Sequence, residues 1–200
     1  MNTPELITLI ALTIITVIVP GPDFLIVSRN AVVHSRKAGW LTACGVASAV
    51  WIHISYSIGL VHLASSHSQW LFQGMKYAGA CYLTYLGYQS LKTRQDDVDL
   101  AKTRSNSNFW LQGFINNALN PKATLFFISV FSQVISSDTS IWVQVEYGLV
   151  ITAICLAWFL LLPYFLTTKP FRSLVNTYIA PIEKFAGVLF IGFGLYTMLG

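Results

Sequence analysis

This 200-residue sequence carries little charge: 10% of its residues are Asp, Glu, Lys or Arg, against roughly 25% in an ordinary soluble domain. With 54% hydrophobic residues to cover, so few charges exclude a water-soluble globule. Cysteine is also sparse. Cys44, Cys81 and Cys155 stand alone with no C-x-x-C pair, which excludes a redox motif, and each is expected to be a small apolar residue at a helix contact. The four histidines are scattered, without Cys or acid clusters at metal-ligand spacing, so no metal site is expected. There is no phosphate-binding loop and no nucleophile elbow. These absences predict a chain that is not an enzyme, holds no cofactor and is not driven by nucleotide hydrolysis. The net charge of +4 does not point to nucleic acid, because the basic residues cluster where a membrane protein needs them.

What is present is a series of apolar stretches, each long enough to cross a bilayer core, which takes about 20 helical residues. They cover residues 4–28, 38–64, 69–91, 109–135, 141–167 and 179–199. The expected fold class is all-α: a polytopic membrane protein of six transmembrane helices forming one domain over 1–200. The first stretch lacks the basic start and small-residue cleavage site of a signal peptide, and Glu5 is its only charge before Asp23, so it is expected to be retained as helix 1. Arg29, Arg36 and Lys37 lie between helices 1 and 2, Lys92, Arg94, Lys102 and Arg104 between 3 and 4, and Lys169, Arg172 and Lys184 between 5 and 6. The alternate loops, Ser65 to Gln69 and Ser136 to Ser140, have no Lys or Arg. The positive-inside rule then puts the basic loops in the cytoplasm and both termini outside. Trp40, Trp70, Trp110 and Trp142 fall near the starts of proposed helices, where an indole sits well at headgroup level; Trp51 and Trp158 fall mid-span and read as packing residues.

The polar stretch 92–108 is the one segment resembling a linker. It divides the chain into halves, approximately 1–91 and 109–200, with three helices each. Three is odd, so the second half is expected to enter the membrane with opposite orientation, as in an inverted-topology repeat. Gly45 with Ala49, Gly74 with Ala78, and Gly187, Gly192 and Gly194 are expected to let helices approach closely, since small residues do much of the packing in lipid. Gly39 is expected to help start helix 2.

Two proline-interrupted polar motifs interrupt otherwise apolar segments, about half a chain apart. The first is Pro20-Gly21-Pro22-Asp23; the second is Asn116-Asn117 followed by Asn120-Pro121-Lys122. Proline removes a backbone donor and clashes with the preceding turn, and Gly21 frees the backbone between two of them. Helices 1 and 4 are therefore expected to break here. Paired breaks, one per half, are a sequence pointer to a transporter binding site, because backbone freed at membrane depth must be satisfied by protein or by a hydrated cavity. Amides opening a half-helix attract a carboxylate, and carbonyls closing the preceding one attract a cation. A zwitterionic amino acid carries both charges.

Asp23 adjoins the first break, and an ionisable group at membrane depth is a functional candidate by default. It can take a substrate ammonium group or carry a coupling proton; the competing reading is a cap for a short following helix. Asn116 lies one turn before Asn120, so their amides share a face, and Gln112 extends it. Lys122 can bind a substrate carboxylate or neutralise Asp23; the competing reading is a snorkelling lysine. His53, in the middle of helix 2, can relay protons or bond a neighbouring helix as neutral imidazole. Lys76 and Glu146 read as interfacial anchors, and Glu183 and Lys184 as capping or snorkelling residues. The candidate substrate-binding or coupling set is thus Pro20, Gly21, Pro22, Asp23, His53, Asn116, Asn120, Pro121 and Lys122.

At these residues the chain resembles the LysE/RhtB family of bacterial amino-acid exporters, over essentially its whole length. The likeness takes in Pro20-Gly21-Pro22, Ser35-Arg36-Lys37-Ala38-Gly39, Gly45 and His53. It continues through Lys76-Tyr77-Ala78-Gly79-Ala80, Tyr82-Leu83 and Leu86-Gly87-Tyr88, and then Gly113-Phe114, Asn116, Asn120-Pro121-Lys122-Ala123 and Phe126-Phe127. The resemblance implies six helices in the bacterial inner membrane and proton-driven efflux of amino acids or their derivatives. It leaves two roles open for Asp23, proton carrier or determinant of substrate.

The function expected is a secondary exporter working by proton antiport and alternating access, with an amino acid and protons as its small partners, the lipid bilayer as its surroundings and a homodimer as its assembly. In the sharpest form, Asp23 takes the ammonium group or the proton, and Lys122 with Asn120 takes the carboxylate. Two alternatives remain at this stage: a membrane-embedded thiol carrier of similar topology, and a passive channel or accessory subunit.

Overall fold

A computed structural model describes residues 3–67, 69–92, 108–135 and 139–199, and among them every regular element is helical. In chain order these are α1 (Thr3–Ile18), α2 (Pro22–Arg29), α3 (Arg36–His67), α4 (Gln69–Lys92), α5 (Phe109–Ala118), α6 (Pro121–Val134), α7 (Ile141–Leu166) and α8 (Lys169–Leu199). Residues 93–107 of the polar stretch 92–108, and 136–138 of the second non-basic loop, lie outside the described residues.

Among the described residues, three helices are long and apolar enough to cross a membrane: α3, α7 and the Ala180–Leu199 part of α8. A fourth span arises if α1 and α2 count together across their 53° bend. The six-span expectation is met to that extent. α4 has the length, at 24 residues, but Gln73, Lys76 and four tyrosines dilute its apolar character. α5 and α6, at 10 and 14 residues, are each too short alone.

Both expected breaks are present, and proline chemistry explains them. Gly21 stands in extended backbone before α2, with Pro22 in the first helical turn, where a missing N–H costs nothing. Asn120 stands likewise before α6, with Pro121 in the first turn. α2 widens at its far end into one π-turn, Asn30–His34, closed by Ser35 N–H donating to Asn30 O at 3.1 Å. Ser35 Oγ then accepts from Ala38 N–H at 3.1 Å and caps α3.

Glycine sets how closely the helices pack. A Cβ on Gly113 would collide with the Thr42 backbone, and one on Gly45 with that of Trp110, so α3 and α5 touch main chain to main chain. A Cβ on Gly187 would lie 2.7 Å from Gly87 O, which fixes α4 against α8. Gly194 meets Ala80 and Thr84 in the same interface, and Gly39 meets Pro163 and Ala31. Gly74 and Gly192 have nothing within 4 Å, so the packing role expected of them is not found. Trp40, Trp70, Trp110 and Trp142 are all exposed at helix starts, while Trp51 and Trp158 pack against the core.

Candidate functional site

The two breaks meet. Asp23, in the first turn of α2, turns its carboxylate toward the α5–α6 junction. Asn116 Nδ2 donates to Oδ1 at 2.8 Å, while Asn117 Nδ2 and Asn120 Nδ2 both donate to Oδ2 at 2.9 Å. A carboxylate offers about four acceptor positions, so three neutral donors leave one free. Asn120 does two jobs, because its Oδ1 also accepts the Lys122 N–H at 3.0 Å and caps α6. Losing the α6 break would therefore remove a ligand of Asp23 along with the helix start.

Lys122 lies across from the first break. Its Nζ would be 3.3 Å from a Cβ on Gly21, so glycine at that position makes room for the ammonium group. Among the described residues no salt bridge joins Lys122 to Asp23, but the two line the same cavity. Glu183 is 8% exposed, on the same face of α8 as buried Ala186 and Phe190. It is neither the cap nor the snorkelling residue that the sequence suggests. Phe190 packs edge-on against Phe126, one turn along α6 from Lys122, which draws this part of α8 toward the site.

His53 is fully buried and faces the second break. Pro121 has no N–H for the carbonyl four residues back, which is Asn117 O. Asn120 N–H takes that carbonyl at 2.9 Å, and His53 Nε2–H donates to it at 2.9 Å. Its other nitrogen, Nδ1, is 2.5 Å from Tyr56 Oη and accepts that hydroxyl. The ring stacks on Phe127 with centroids 5.5 Å apart. A carbonyl can only accept, which fixes the tautomer. His53 thus touches the main chain of a residue that holds Asp23, not Asp23 itself.

A cavity of about 50 Å³ lies between these groups, bounded by Gly21, Asp23, Asn117, Asn120 and Lys122 on its polar side and by Phe126, Phe127 and Phe159 on its apolar side. Thr13 and Thr16 of α1 reach it, but their hydroxyls donate to Leu9 O at 2.7 Å and Leu12 O at 2.8 Å. Cys155 of α7 also reaches it. The three cysteines are free and differ in setting, with Cys155 buried, Cys44 half-buried and Cys81 exposed, so the expected helix contact fails for Cys81.

Of the residues singled out in the sequence, Gly21, Pro22, Asp23, Asn120 and Lys122 line this cavity, and Asn116 joins them through Asp23. Pro20 and Pro121 act through the backbone, and His53 through Asn117. Gln112 is drawn elsewhere: with Thr42 it accepts from Asn30 Nδ2, at 3.1 and 2.8 Å, so the amide stripe divides between two networks. The sequence reading underrated Asn117, Glu183 and Cys155. Asn117 was detectable as the carbonyl that Pro121 must orphan; the other two depend on helix rotation. Among the described residues no cluster of His, Cys, Asp or Glu could hold a metal ion.

The threonine efflux protein of Salmonella typhi is 29% identical over 192 residues, 93% of each chain. That of Escherichia coli (strain K12) is 29% identical over 202 residues, 96% of this chain and 97% of the relative. The leucine efflux protein of Salmonella choleraesuis (strain SC-B67) is 32% identical over 192 residues, 90% of this chain and 88% of the relative. No solved structure matches. The family model described as LysE type translocator matches residues 14–200. With nearly its whole length matched, the chain belongs to the LysE type translocator family.

Proposed function

We propose that this protein is a secondary exporter of amino acids or their derivatives, driven by proton antiport through alternating access. The observation that carries the reading is the Asp23 carboxylate, held across the bundle by three amides from the opposite broken helix, with Lys122 beside it in the same cavity. A free amino acid needs one acceptor for its ammonium group and one cation for its carboxylate. Asp23 keeps one acceptor position open for the first, and Lys122 with the opening of α6 serves the second. The relatives named as threonine and leucine efflux proteins support this substrate class.

The mechanism reads as six spans in two inverted halves: α1 with α2, α3 and α4, then α5 with α6, α7 and α8, in one transmembrane domain. Pro22-Asp23 opens α2 as Pro121-Lys122 opens α6, and Gly87 of the third span meets Gly187 of the sixth. Both pairings support a two-fold relation between halves. Opposite charges at equivalent positions then face one another across the cavity. That cavity has room for only a few water molecules, so substrate requires the halves to part. Asp23 can hold a proton or a substrate ammonium group, and this competition supplies antiport. The basic segments face the cytoplasm, both termini lie outside, and the membrane is the bacterial inner membrane.

The test is flux of a panel of labelled amino acids in proteoliposomes, with and without an imposed pH gradient. Saturable, gradient-dependent flux supports the exporter and names its substrates. Flux indifferent to the gradient removes proton coupling, and non-saturable flux indicates a channel.

A further inference from the structure

A second and larger cavity opens at the end of the bundle away from the basic segments, where α1 and α4 begin and α6 and α8 end. Its volume is about 660 Å³. The charge inventory sets it apart from an ordinary surface groove. Of the chain's 12 Lys and Arg, all lie in or beside the basic segments except two, Lys122 and Lys76. Lys122 lines the central cavity, and Lys76 lines this vestibule. Each lysine has a carboxylate lining the same space, Asp23 in the first case and Glu5 in the second.

Both vestibule charges are held in place. Tyr147, fully buried in α7, donates its hydroxyl to Glu5 Oε2 at 2.8 Å, as the asparagine amides orient Asp23. Lys76 Nζ rests over the Phe72 ring at 4.8 Å, an attraction that keeps an ammonium group against the protein. Gln133 and Thr197 form a polar wall, with Thr197 Oγ1 donating to Gln133 Oε1 at 2.6 Å. A surface that anchors both a carboxylate and an ammonium group in one polar hollow suits a small zwitterion.

The two cavities share walls. α1 gives Thr8 to the vestibule and Thr13 to the central cavity, and α6 gives Gln133 and Phe127. Between them stand Leu9, Leu12, Val130 and Phe131, none more than 4% exposed. Thr8 to Thr13 is a rise of roughly 7.5 Å along α1 at 1.5 Å per residue. Along α1 and α6, the stretches between the two linings are thus closed by buried apolar side chains.

We infer that the vestibule is a second binding site for a free α-amino acid, an exit subsite in which Glu5 takes the ammonium group and Lys76 the carboxylate. The inference rests on the exporter reading. Its test is equilibrium binding of labelled threonine and labelled leucine to the purified full chain, beside flux in proteoliposomes. Wild type is expected to bind two molecules per chain, Asp23→Asn one, and Glu5→Gln or Lys76→Gln one with the central affinity kept. Glu5→Gln retains an acceptor for Tyr147, and Lys76→Gln retains the stem on Phe72, so two independent variants probe the site. Loss of one charge-assisted contact should weaken the second site by about tenfold or more. Wild type that transports but binds one molecule, or vestibule variants that still bind two with wild-type affinities, overturns the exit subsite and leaves the exporter intact. Wild type that neither binds nor transports any amino acid overturns both.

Discussion

Asp23 and Asn120 are joined by a 2.9 Å hydrogen bond, although 97 residues separate them and each starts a different half-helix. The same Asn120 side chain caps α6 through the Lys122 N–H. One residue therefore ties the geometry of the second break to the charge at the first. Any motion that separates α2 from α6 must exchange this bond for water or substrate.

Asn120→Ala is expected to cost more than Asn116→Ala. Both remove a donor to Asp23, a charged hydrogen bond of about 1.5–3 kcal/mol, but only Asn120→Ala also removes an N-cap of about 1 kcal/mol. Thermal unfolding in one detergent should rank wild type above Asn116→Ala, and Asn116→Ala above Asn120→Ala. Equal midpoints for the two variants would argue against the double role.

His53 acts on the site through Asn117 O. His53→Ala removes one of the two donors to that carbonyl, a hydrogen bond of about 0.5–1.5 kcal/mol, whereas His53→Gln, which can still donate an N–H, should recover part of it. The readout is the KM for the exported amino acid, expected to rise in His53→Ala and to fall partway back in His53→Gln. If Gln behaves as badly as Ala while both fold, the imidazole itself handles a proton.

Cys155 reports occupancy of the central cavity. In a Cys44→Ser, Cys81→Ser background, a membrane-permeant maleimide should label Cys155 slowly, because it is 4% exposed, and saturating substrate should slow it further. Labelling that ignores substrate would separate the cavity from the transport path. Replacing all three thiols should leave transport in place; its complete loss would revive the thiol-carrier alternative.

Gly113→Ala should destabilise the protein by about 1–3 kcal/mol, because the added methyl meets the Thr42 backbone, whose carbonyl carbon would lie 2.9 Å away. Gly192→Ala, with nothing within 4 Å, should be neutral or stabilising by up to about 1 kcal/mol. Unfolding midpoints of the two variants against wild type check this contrast.

The parts of this molecule that were legible in advance follow from local chemistry. Pro20-Gly21-Pro22 and Asn120-Pro121 set proline beside a glycine or a capping asparagine, so both interruptions could be read from the chain alone, whereas Pro163 and Pro181 lie inside α7 and α8 without ending them. The spacing of Asn116 and Asn120 announced a shared face, and that face does carry two donors to Asp23. What could not be read depends on helix rotation. Glu183 looked like an interfacial residue because it follows a basic segment, yet α8 begins at Lys169, ten residues before the proposed start, and turns Glu183 inward. Gly74 and Gly192 share their spacing pattern with the packing glycines, and only the assembled bundle shows that they face nothing. Gln112 belongs to the amide stripe by periodicity, but Asn30, set in the π-turn, bonds it.

The most direct measurement is efflux of a labelled amino acid from proteoliposomes under an imposed pH gradient, comparing wild type with Asp23→Asn and Lys122→Ala at matched protein levels. The account predicts saturable, gradient-dependent flux in wild type, with at least about a tenfold loss in each variant, the cost of one missing charged contact. Variants that fold and move the amino acid at the wild-type rate, with the wild-type response to the gradient, would contradict a transport site built where the two broken helices meet.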